Sequence, residues 1–137
     1  MKLALYKGRE RFISNIICFW TKSKYSHCEL VFSDGMWGSS SDLEGGVCLR
    51  YVEYDPLMWD FFDIEGDEGF ARKWFEKHRG QKYDYLGLLG FIIRPIKGQI
   101  DRRGCAHAVM AALKYKEAWR FDPGMPAVLF GPKETEL

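Results

Sequence analysis

Alternation of apolar and polar positions dominates the first half of this chain, and helical spacing the second. Leu3 to Lys7 reads as a short strand ending at Gly8. Arg11 to Thr21 interrupts the strands. Its Phe12, Ile13, Ile16, Ile17 and Trp20 are spaced as one face of a helix, closed by the polar run Thr21-Lys22-Ser23-Lys24. His27 to Phe32 alternates as a strand, Ser33-Asp34-Gly35 is a turn signal, and Met36 to Ser40 returns as its partner. Glu44-Gly45-Gly46 turns the chain again, into a strand from Val47 to Val52, and Trp59 to Ile64 is one more.

Helical signals then take over. Asp67 to Arg79 starts with acidic residues, ends in Lys77-His78-Arg79-Gly80, and carries Phe70, Trp74 and Phe75 on one face. Those charges suit the helix dipole at both ends. Tyr83 to Ile93 is a short apolar helix that stops before Pro95. Cys105 to Tyr115 is the last helix, with Val109, Ala112 and Leu113 on its buried side. From Phe121 onward, Pro123, Pro126 and Pro132 predict a coil wrapped over the surface. Strands and helices segregate along the chain, so the expected class is α+β, a small antiparallel sheet packed against helices.

Length and composition narrow the function classes. The 137 residues suit one domain, residues 1–137, with no repeat or linker to divide it. An apolar content of 47% argues for a packed core, and a net charge of +1 offers nothing for nucleic acid or an acidic membrane. The best apolar run, Tyr85 to Ile93, is far too short for a membrane span. Met1 to Gly8 is too small for a secretory signal, and the expected location is the cytoplasm. Cys18, Cys28, Cys48 and Cys105 have no metal-ligand spacing, so free thiols and no cofactor are expected. Cys18, Cys28 and Cys48 lie among apolar or strand residues and read as buried structural thiols.

Cys105 differs because the charged loop Asp101-Arg102-Arg103-Gly104 leads directly into the apolar helix it opens. Unpaired N–H groups at a helix start and nearby cations favour a thiolate, the nucleophilic form of cysteine. Its backbone N–H is a candidate oxyanion donor, and the small Gly104 and Ala106 leave room beside the sulfur. His27, opening a strand, is the candidate base. Period two puts Glu29 on the same face as His27, where it can orient the imidazole or stand as a rim carboxylate. Parallel side chains make a direct bond between the two less certain. A metal site from His27, Cys28 and Glu29 fails because strand neighbours face opposite ways.

The order of "FWTKSKYSH", "HCELVF", "GGV", "GQKYDYLGLLGF" and a late Cys opening a small-residue helix resembles the permuted papain-like amidases of the YiiX/YaeF type. These belong to the NlpC-like cysteine peptidase superfamily. The resemblance runs from Leu3 to about Phe121, and its strand His precedes its helix Cys, as in the permuted members. It implies a circularly permuted papain-like fold in which Cys105 is the nucleophile and His27 the base. A third polar residue is implied on the strand after the His strand. Here Ser39 or Ser40 occupies that segment, with Glu29 the other candidate. Tyr25, Tyr83, Asp84 and Gly104 are the residues expected to line the substrate.

The chain departs from the resemblance around the nucleophile, reading Gly104-Cys105-Ala106-His107 where relatives carry an aromatic-Cys-Ser-Glu sequence. His107 points to a different side of the helix from Cys105 and reads as a surface or supporting residue. The expected function is a cysteine hydrolase, an amidase, peptidase or esterase, acting on a peptide, amide or acyl substrate. The alternatives are a catalytically weakened or inactive binding or assembly module of the same fold, and a thiol acyltransferase acting on lipid acyl groups. A phage- or bacterium-encoded accessory protein would suit the inactive module.

Overall fold

A computed structural model describes residues 1–8, 14, 15, 18, 19, 22–82, 105–118, 121 and 124–131. Five strands, β1 (Lys2–Tyr6), β2 (His27–Val31), β3 (Trp37–Ser41), β4 (Gly46–Arg50) and β5 (Trp59–Asp63), form one antiparallel sheet in the order β4-β3-β2-β1-β5. Three helices are described, α1 (Glu68–His78), α2 (Cys105–Ala112) and α3 (Met125–Phe130). The protein is therefore α+β, and α1, α2 and α3 all follow the last strand.

Strand alternation sorts the residues onto two faces. Leu3, Leu5, Cys28, Leu30 and Val47 join Phe75, Ala71, Ala108 and Val109 in the core between the sheet and helices α1 and α2. The opposite face carries Tyr6, Trp37, Trp59 and Phe61, whose rings pack together, with Tyr54 folded over Trp37 and Phe61. His27 and Glu29 share that face through their pairing with Tyr6 and Ala4.

Helix α1 begins where Asp67 accepts the Phe70 N–H at 2.9 Å and holds the Lys114 ammonium at 2.9 Å. Its buried stripe is Ala71 and Phe75, with Trp74 partly covered. Phe70, expected on that stripe, is 41% exposed and lies beneath Lys114 instead. Helix α1 seats closely on β3 because Gly38 has no side chain. A Cβ there would stand 2.7 Å from the Phe75 ring. Gly38→Ala is expected to destabilise the protein by about 1–3 kcal/mol, the usual cost of forcing atoms into a packed core. A lowered thermal midpoint, with the sheet signal kept in circular dichroism, is the check.

Helix α2 stops three residues earlier than expected. Tyr115 N–H reaches Met110 O and Lys114 N–H reaches Ala111 O, with Lys114 left-handed at φ 67°. That pattern closes a helix by satisfying its last carbonyls. Leu113 lies in this turn and is partly buried, whereas α2 itself is buried nearly all round.

The tail is not all coil. Pro126 lies in the first turn of α3, where a missing N–H costs nothing, so proline starts this helix rather than preventing it. Cys18 and Cys28 are buried, but Cys48 is only half-buried. Ser14, Asn15, Cys18 and Phe19 are helical as expected, and the rest of the helix predicted over Arg11 to Thr21 lies outside the described residues. The helix predicted over Tyr83 to Ile93 lies outside them too. No described helix is long and apolar enough to cross a membrane.

Candidate active site

β2 and β3 are in register at Leu30–Gly38 and Val31–Trp37, and the site lies from there toward His27. Helix α2 packs against both strands and presents its first residue, Cys105, beside His27 and Cys28. His27 thus meets a thiol on the helix that covers the other face of the sheet.

The approach to His27 is pinned by local bonds. Ser26 N–H donates to Tyr6 O at 3.0 Å, and Ser26 Oγ donates to Gly8 O at 2.8 Å. Tyr25 hydroxyl donates to Asp60 Oδ2 at 2.7 Å, while Lys7 and Lys24 hold the same carboxylate at 2.8 and 3.2 Å. Burial would raise the Asp60 pKa, but Lys7, Tyr25 and Lys24 outweigh it and bring it to about 2. Tyr25 is thus mainly a buried strut, and the edge it exposes lines a groove with Trp59 and Val128. Trp59 meets the His27 ring edge-on at 6.4 Å.

His27 Nε2 lies 2.9 Å from Glu29 Oε1 and 3.2 Å from Ser39 Oγ. An Nε2–H donor shared between those oxygens leaves Nδ1 as the ring nitrogen for the Cys105 sulfur, which also hydrogen-bonds the imidazole. Two of the three candidates for the third position, Glu29 and Ser39, therefore meet the same nitrogen. The direct Glu29–His27 bond forms although the two side chains leave the strand in parallel. Ser40 is fully buried and by alternation faces the helix side.

Glu29 is itself buried, at 2% side-chain exposure, and Arg50 from β4 grips it with two bonds. Nη1 donates to Oε2 at 3.1 Å and Nη2 to Oε1 at 3.2 Å. Arg50 Nε reaches the more exposed Glu44 at 3.1 Å. A line of alternating charge thus runs from Cys105 through His27, Glu29 and Arg50 to Glu44.

The charges shift one another. Hydrogen bonds from Cys28 favour the Cys105 thiolate most, burial opposes it, and the His27 charge adds to the first effect. The balance holds the thiol well below its usual value. Burial would strip His27 of its proton, but the Cys105 sulfur and Glu29 carboxylate outweigh burial and raise the imidazole to about 10. Glu29 would likewise be raised by burial, yet His27 and Arg50 keep it below its ordinary value. All three shifts run in the direction that favours a thiolate–imidazolium pair beside a charged carboxylate.

Arg50 and Cys28 join the site although neither stood out as a site residue in the sequence. The available signal for Arg50 was a charged residue at an alternate position of a strand. Its partner becomes evident only once β3 and β4 are in register, with Trp37 opposite Arg50. His107 is half-buried on α2. Tyr83, Asp84, Arg102, Arg103 and Gly104 lie outside the described residues. Among the described residues no group of three His, Cys, Asp or Glu side chains is arranged to hold a metal ion. No family model, curated protein or solved structure matches the chain.

Proposed function

We propose that this protein is a cysteine hydrolase acting on an amide or ester, built on the circularly permuted papain-like plan. The observation that carries the reading is the Cys105–His27–Glu29 relay, a buried thiol, a half-buried imidazole and a buried carboxylate in sequential contact. The strand-His-before-helix-Cys order and the antiparallel sheet support the fold assignment.

In this mechanism the Cys105 thiolate attacks the substrate carbonyl carbon, forming a C–S bond and an oxyanion. The Cys105 backbone N–H, on the first residue of α2, is the candidate donor to that oxygen. His27 gives its proton to the leaving amine or alcohol as the acyl-enzyme forms. It then takes a proton from the attacking water, and the thiolate leaves with the acid product. Glu29 and Ser39 hold the ring through both transfers.

The test is a panel of activated esters and peptide amides followed by peptide-resolved mass spectrometry. A burst of leaving group and an acyl adduct on the Cys105 peptide are expected, both absent in Cys105→Ala. Turnover that survives in Cys105→Ala, or no adduct from any member of the panel, overturns the proposal.

A further inference from the structure

The hydrolase reading needs His27 to be a cation for the thiolate, yet Glu29 makes a claim on the same cation. Glu29 Oε1 is 2.9 Å from His27 Nε2, and its side chain is 2% exposed, so water does little to satisfy it. One imidazolium facing two buried anions would leave the site one charge short. Burial would then force a proton onto one of them. Arg50 is the group that closes the count. Its fork lies 3.1 and 3.2 Å from the two Glu29 oxygens, and its third nitrogen is tied to Glu44, which fixes the plane of the guanidinium.

We propose that Arg50 is a positioning residue for the thiol chemistry, neutralising buried Glu29 so that the charge of His27 stays available to Cys105. The inference rests on the hydrolase reading and deepens it. With Arg50 the four groups Cys105, His27, Glu29 and Arg50 sum to zero as thiolate, imidazolium, carboxylate and guanidinium. Without it they sum to one negative charge in a buried place. The other titratable groups facing them, among the described residues, are Cys28 beside Cys105, Cys48 on β4 and Glu44 on the turn before it, with Arg79 bearing on Cys48 from beyond α1. Cys48 is neutral as a thiol. Burial pushes Cys48 up, which keeps it so. Glu44 is 42% exposed, so solvent screens its charge and it weighs less at the thiol.

The count makes a prediction of sign that a merely structural arginine does not. The rate of iodoacetamide alkylation at Cys105 is measured against pH, resolved by peptide mass because three other cysteines are present. Arg50→Gln is expected to move the acid limb of the profile up by about one pH unit. Arg50→Lys, which keeps the charge without the fork, restores most of that shift. The double variant Glu29→Gln/Arg50→Gln removes one charge of each sign and is expected to return the limb to near its wild-type position. It also keeps the test open where Arg50→Gln does not fold. A limb that stays in place in Arg50→Gln, or stays raised in the double variant, overturns the inference while leaving an activated wild-type thiol and the hydrolase reading intact. A wild-type profile matching free cysteine removes both.

Discussion

His27→Ala is expected to move Cys105 strongly toward an ordinary thiol. In the wild type hydrogen bonds from Cys28 hold the sulfur well below its usual value against burial, together with the imidazolium charge and hydrogen bond. Removing the ring leaves burial opposed by Cys28 without His27, so alkylation should follow a titration moved up toward the ~8.5 of free cysteine. Near pH 6.5 that change slows labelling by about tenfold or more, and hydrolysis falls further. The variant also loses the proton carrier, a function worth about 10²–10⁴-fold. The expected result is a pH profile shifted upward by more than one unit, with circular dichroism unchanged. A profile that does not move would show that His27 is not the partner of the thiol.

The strands were legible because a half-buried sheet writes its period directly into the sequence. Each predicted strand lies within a residue or two of an observed one, and His27 falls at the start of β2 as expected. The meeting of Cys105 and His27 was legible for a different reason. A thiol after a charged loop and an imidazole at a strand start carry local signals of their chemistry.

Arg50 had no such local signal. Its role depends on the register that brings β4 beside β3, which a single strand does not encode. The direct Glu29–His27 bond was similarly hidden. Parallel departure from the strand argued against it, but a glutamate side chain is long enough to bend back to its neighbour two residues away. The tail went the other way. Three prolines read as coil, whereas Pro126 occupies the helix position where proline is compatible. Phe70, read on one helix face with Trp74 and Phe75, lies at its exposed margin, because spacing places side chains on a stripe but does not fix where the covered edge of that stripe lies.

Glu29→Gln is expected to separate the support of His27 from the activation of Cys105. The amide keeps the shape of the carboxylate but not its charge, so the imidazolium loses the partner 2.9 Å away. The basic limb of the alkylation profile, set in the wild type by His27 at about 10, should therefore move down. The acid limb should hold or fall slightly, because a negative charge near the thiolate has gone. Hydrolysis should drop by about 10²-fold as the ring loses its orientation, with Ser39 Oγ at 3.2 Å retaining part of it.

Stability carries its own sign. The Glu29 carboxyl is held below its usual value, so its contribution is fully present above the unfolded carboxyl pKa of ~4.3 and is lost as pH falls through the folded value. His27 is raised, so its contribution is fully present below the unfolded imidazole pKa of ~6.5 and is lost as pH rises through about 10. Between those limits Glu29→Gln should cost about 1–3 kcal/mol, since it leaves part of the Arg50 fork unpaired. In acid, the difference from wild type should shrink. Denaturant titrations at pH 7 and pH 3 make the comparison. An equal gap at both values would mean that the Glu29 charge is not what the folded state uses.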